Sequence, residues 1–178
     1  MFSILTLLVS TLVAAVPARP VPRTSSKLYV DSGTFEGGSP LAANIEAIRF
    51  SRNPKENTER WVFDFSDART RTLQQIAPDF QIRVIPADKV NLGGGKEFEV
   101  SPLRVIISLN SIKENRIDPK VLTRLLKKSH LVKNIRFYPP IEEGDRAVEI
   151  LFKKSVLIEP HQPLQKEGRL VLDLKPRK

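Results

Sequence analysis

The sequence contains no cysteine. This excludes disulfides, thiolate metal sites, cysteine nucleophiles and a lipid anchor on a cysteine behind the apolar N-terminus. An exported chain without cross-links must be stable through its core alone, and about 150 mature residues suffice for that. Histidine is scarce as well, with only His130 and His161 present. A zinc amidase or peptidase gathers several histidine and carboxylate ligands around its metal, so no metal and no cofactor are expected. His130 falls near the C-terminus of a predicted helix, where an imidazolium favours the helix dipole, and His161 falls in a proline-rich turn. There is no Gly-x-Ser-x-Gly elbow, and Ser66 and Ser108 lie at strand ends with no histidine close in sequence. No enzyme is expected.

Long apolar runs are missing too. Phe2 to Val16 is uncharged and apolar, yet short of the ~20 residues that span a bilayer. It fits the upper range of a signal-peptide core, ~7–15 residues, and Val16-Pro17-Ala18 offers small residues where a signal peptidase inspects them. Residues 1–18 are therefore expected to be a signal peptide and the protein to be periplasmic, with no membrane span left after cleavage. Residues 19–43 are rich in Pro, Ser, Thr and Gly and are expected to form a flexible leader, with Lys27 to Val30 at most a short edge strand.

Charge is unbalanced. Against 20 acidic residues stand 29 basic ones, for a net charge of +9 and an isoelectric point of about 10.0. Such a surface favours nucleic acid, anionic lipid or an anionic wall polymer. The aromatic residues fall on core strands, which leaves no exposed stacking platform for nucleic acid, and export also argues against that partner.

What is present is strand periodicity. In Trp61-Val62-Phe63-Asp64-Phe65 the large rings recur at every second residue, the period of a strand with one buried face. Three such rings are worth roughly 1.5–3 kcal/mol each when buried. The neighbourhood also repeats. Ile48-Arg49-Phe50 followed by Trp61, Phe63 and Phe65 matches, without a gap, Ile135-Arg136-Phe137 followed by Val148, Ile150 and Phe152. Two later strands echo each other too: Arg104-Val105-Ile106-Ile107-Ser108-Leu109 and Arg169-Leu170-Val171-Leu172-Asp173-Leu174.

The first half runs from about 45 to 109 and the second from about 131 to 174. Between them Asp118-Pro119 reads as N-cap and first helical position, opening a linker helix over about 118–129. Asn53 to Asn57 reads as a hairpin loop. Asn91 to Lys96 is a glycine-rich loop without the helix that a phosphate loop requires, and Glu142 to Asp145 is a solvated turn. Each half supplies about four strands. The expected fold is all-β with one short linker helix: a β-sandwich of two similar, roughly four-stranded sheets from an internal repeat.

The order of these pieces is a strand ending in Ile-Arg-Phe, a turn, an Arg-Trp-Val-Phe-Asp-Phe strand, an irregular stretch and an Arg-Leu-Val-Leu-Asp-Leu strand. It resembles the AMIN domain, the N-terminal module of periplasmic cell-wall amidases that also occurs in type IV pilus secretins. The similarity covers residues 44–175, followed by a basic tail at 176–178. It implies a sandwich of two symmetric four-stranded sheets that binds peptidoglycan and localises its host protein in the bacterial envelope. On that resemblance the chain is the targeting module standing alone.

Two candidate surfaces follow. Arg49, Arg60, Arg104, Arg136 and Arg169 stand at repeated strand positions beside core residues and point the other way. Outward arginines grip carboxylates in a bidentate manner, and peptidoglycan stem peptides carry carboxylates. The same arginines also have cross-strand partners within reach in Asp64, Glu149 and Asp173. The second surface is the basic side of the helix, Lys120, Arg124, Lys127 and Lys128. The expected partner is peptidoglycan or another acidic envelope polymer; the alternative is another envelope protein bound by a sheet edge or by the basic helix.

Overall fold

The computed structural model describes residues 18–22, 25, 27–91, 97–101, 103–140, 144–163 and 168–177. Thirteen strands and one helix lie among them. In chain order the strands before the helix are β1 (Arg19–Pro20), β2 (Gly33–Gly37), β3 (Ala43–Asn53), β4 (Thr58–Asp67), β5 (Phe80–Ile85), β6 (Asp88–Asn91), β7 (Glu97–Ser101), β8 (Arg104–Leu109) and β9 (Ile112–Asn115). Helix α1 (Pro119–Lys128) follows, and then β10 (Val132–Phe137), β11 (Arg146–Phe152), β12 (Val156–His161) and β13 (Arg169–Pro176).

Two sheets carry the fold. Sheet A has the order β1-β2-β5-β8-β11-β10 and sheet B the order β12-β13-β4-β3-β9. The fold is an all-β sandwich with one short helix, as its periodicity predicts, and neither sheet closes into a barrel. Strip the flanking strands, and β5-β8-β11-β10 matches β12-β13-β4-β3 strand for strand. The repeat is thus built into the architecture, but each sheet is not one half of the chain. Each takes the first hairpin of one half and the last two strands of the other. The halves interlock because β4 and β11, with one apolar face apiece, pair with the closing strand of the opposite repeat.

The match extends to register. Phe50 faces Trp61 and Phe137 faces Val148. Both hairpins also carry a bulge at the corresponding place, between Ile45 and Ala47 in one and between Val132 and Asn134 in the other. A bulge inserts one unpaired residue and increases local twist, and finding it twice shows that the two hairpins share backbone as well as sequence.

The core lies between the sheets. Trp61, Phe63 and Phe65 are 1%, 1% and 0% exposed, in one core cluster with Ile82, Ile107 and Ile150 of sheet A and Leu172 of their own sheet. Phe50 packs on Trp61 with ring centroids 4.9 Å apart. Local chemistry sets the connections. Asn53 Oδ1 accepts from the Lys55 and Glu56 amides at 3.1 and 3.4 Å, an Asx turn that closes the β3–β4 hairpin. Asp118 caps α1 by accepting from the Lys120 amide at 2.7 Å, with Pro119 at the first helical position. At the far end, buried Glu59 accepts from Ser129 Oγ and the His130 amide, both at 2.6 Å, which ties the end of the helix to β4.

Several expectations are corrected. The leader at 19–43 is no loose segment: Gly33–Gly37 forms β2 against β5, and Arg19–Pro20 pairs with β2. Within it Val30 bridges Ile158 on the edge of sheet B, in keeping with a short edge strand there. The stretch around Ile112 adds β9 to β3 in parallel. His161 ends β12 and is buried, rather than lying in a turn. The tail is shorter than 176–178, since Pro176 still belongs to β13. Residues 92–96 of the glycine-rich loop lie outside the described residues, but β6 and β7 on either side pair antiparallel, so the loop joins a hairpin. Residues 1–17 of the expected signal peptide and residues 141–143 of the acidic turn also lie outside them. Among the described residues no helix is long and apolar enough to cross a membrane.

Candidate functional site: the outer faces of the two sheets

Every second residue of a sandwich strand faces away from the core, and β4 and β13 place charge there. Their register sets Arg60 opposite Asp173 and Arg169 opposite Asp64. Arg60 grips Asp173 with Nε and Nη2, both at 2.7 Å. From β3, Arg49 grips Asp64 in the same way at 2.6 and 2.7 Å, while Arg169 Nε reaches the same carboxylate at 2.9 Å. Asp64 is therefore clamped between two guanidinium groups. The hydrogen bond to Asp173 raises Arg60 above its ordinary value.

Sheet A repeats the arrangement with different acid placement. Arg136 and Arg104, the counterparts of Arg49 and Arg169, flank Glu149 at 3.5 and 3.9 Å. Tyr138 donates to the same carboxylate at 2.8 Å. Glu149 comes from a different point on its strand than Asp64, so the two arginines are repeated while the acid that organises them is not.

All five predicted arginines thus lie on outer faces, and each is held by a buried carboxylate. The acids act as internal anchors. The side chains of Arg49, Arg60 and Arg136 nevertheless remain 50%, 49% and 55% exposed. In Arg49 and Arg60 the fork uses Nε and Nη2, and Nη1 has no partner among the described residues. Such a guanidinium is fixed on one edge and presents donors on the other, which lowers the conformational cost of gripping a ligand. The basic helix residues Lys120, Arg124, Lys127 and Lys128 are exposed, on a helix that packs against β3 and β10.

Sequence reasoning missed a hollow beside Arg60. It has a volume of about 560 Å³ and lies between the leader, the β3–β4 turn and β13. Lys27, Tyr29, Arg52, Arg60 and Lys175 supply its cationic and phenolic groups, facing Glu56 and Asp173. Glu159, 1% exposed, fixes the leader wall by accepting from Ser25 Oγ at 3.0 Å and the Lys27 amide at 2.7 Å. Burial, then Asp173 and Glu159, raise the Tyr29 hydroxyl above its ordinary value, so it keeps its proton at neutral pH. No local motif marks this hollow, because its walls come from three distant segments.

Among the described residues no group of His, Cys, Asp and Glu is placed to hold a metal ion. His130 contacts Arg52 through Nε2 at 3.0 Å. His161 stands 3.7 Å from Asp173, and burial drives its imidazole below the usual value. Ser66 donates to Glu46 at 2.8 Å. No family model matches the chain, and no curated protein matches it either.

Proposed function

We propose that this protein is an exported, non-catalytic binding module of the bacterial envelope that docks on peptidoglycan through the arginine rows of its outer sheet faces. It would localise or scaffold an envelope machine, as the resemblance to the AMIN domain implies. The observation that carries the reading is the paired arrangement of Arg49 with Arg169 and of Arg104 with Arg136. Equivalent positions on two symmetric faces hold guanidinium groups fixed by buried acids, Arg49 and Arg136 about half-exposed and Arg104 and Arg169 40% and 24% exposed. One arginine suffices to hold a buried acid, yet Asp64 and Glu149 each carry two, which leaves guanidinium edges beyond what the fold requires. They are suited to a partner that presents carboxylates repeatedly on an extended mesh, and the net charge of +9 favours approach to that mesh.

Co-sedimentation with purified sacculi tests the reading. The full chain is expected to pellet at low salt and to be released as salt rises. Absence of pelleting at low salt would end it.

A further inference from the structure

The hollow beside Arg60 has chemistry that the sandwich itself does not require. Its counterparts on the other face follow from the repeat: Ala147 stands for Arg60, Ser108 for Asp173 and Asn110 for Lys175. The duplicated fold is thus complete without these charges, and one face alone carries them. Lys27 adds a second sign. Its φ is +58°, in the left-handed region where an L-residue is strained by about 1–2 kcal/mol and glycine is not. The Lys27 backbone N–H donates to the carboxylate of buried Glu159, a hydrogen bond that holds that conformation. A lysine in a place suited to glycine puts an ammonium group on the wall of the hollow. Opposite it, Lys175 Nζ lies 5.9 Å from the centre of the Tyr29 ring.

Asp173 is already taken by both prongs of Arg60, so Lys27, Lys175 and Arg52 outnumber the remaining acid, Glu56. The Tyr29 hydroxyl adds a donor. The volume of about 560 Å³ lies within the range of small-ligand sites, about 300–1,000 Å³.

We propose that this hollow, walled by the leader at Lys27 and Tyr29 and by Lys175 of β13, is a binding site for the carboxylate groups of a short acidic peptide. It rests on the peptidoglycan reading for the source of that peptide, which would be the stem peptide of the wall. Lys27 and Lys175 receive one carboxylate, Arg52 and Arg60 border the rest, and Glu56 is left for a ligand amine or amide.

The test is a titration of the ¹⁵N-labelled full chain with the tripeptide Ala-Glu-Lys, and separately with its counterpart in which both carboxyls are amidated. The acid form is expected to shift the amides of Lys27, Tyr29, Glu56 and Lys175, and the amidated form to leave them in place. K27G with K175A is expected to weaken binding several-fold, to a limit of about 25-fold, since each partly exposed ammonium–carboxylate contact is worth up to about fivefold. Lys27→Gly relieves the strained φ, so K27G alone should bind more weakly while melting close to the parent, which separates its lost binding from unfolding. Equal binding of the amidated peptide, or full binding by the double variant, would overturn the site. Pelleting with sacculi reports separately on the source: if the acid peptide binds here and the chain does not pellet, the acidic-peptide site stands and the peptidoglycan reading falls.

Discussion

Arg49 holds Asp64 by both prongs at 2.6 and 2.7 Å, and the carboxylate it holds is buried beneath a guanidinium that is half in solvent. The pair is asymmetric. Removing the exposed partner alone leaves Asp64 with Arg169, whereas removing both arginines leaves a charge with no counterion. R49A should cost about 1 kcal/mol, and R49A with R169A about 3–5 kcal/mol, by urea unfolding. A double variant no worse than the sum of two small losses would show that Asp64 is hydrated well enough without its clamp.

The aromatic strand offers a second prediction. Trp61 is 1% exposed and in ring contact with Phe50, so W61A should lose about 3–5 kcal/mol through the cavity it leaves. Trp61 is also the single tryptophan of the chain. Its fluorescence in the parent should be blue-shifted when folded and move red in one cooperative step with urea; an emission maximum already at the solvent value would contradict the core placement.

His161 gives a pH dependence. Burial disfavours its charged form, with Asp173 opposing and Arg60 reinforcing that shift. The folded protein then takes up this proton at lower pH than the unfolded chain, whose histidine titrates near 6.5. Below that value the unfolded state binds more protons, so this contribution to stability is present above pH 6.5 and is lost as pH falls toward the folded value. Melting temperature should drop from pH 7 to pH 5, and H161Q should flatten that drop. Identical pH profiles would show that His161 does not contribute.

Glu59 is the latch between the helix and the sandwich. Its carboxylate accepts from Ser129 Oγ and the His130 amide, so E59A strands the His130 N–H and should cost about 1–3 kcal/mol. Hydrogen exchange should accelerate first in the last turn of α1 and at His130. Uniform acceleration would place the loss elsewhere.

The parts of the fold that were legible in the sequence are those whose signal is local. Trp61, Phe63 and Phe65 announce a strand because alternate side chains share a face, and Asp118-Pro119 announces a helix because a cap and its proline are adjacent. The repeat was visible because two hairpins kept the same spacing, bulge included. Strand β2 was hidden because Phe35 is its single buried residue among glycines and polar neighbours, and β9 because only Ile112 is buried. The interlocking of the halves was hidden for another reason: an apolar face on β4 fits β8 or β13 equally well until the whole sandwich decides. The arginine rows were legible as outward positions, but Arg60 meets Asp173 only through a register set across β4 and β13. The hollow at Lys27 depends on a backbone angle and on three distant segments, and neither leaves a pattern in sequence.

Binding to sacculi whose carboxyl groups have been amidated tests the central claim most directly. If outward guanidinium groups grip wall carboxylates, the full chain should pellet with untreated sacculi at low salt and remain in solution with amidated ones. Equal pelleting with both would show that those carboxylates are not what this protein holds.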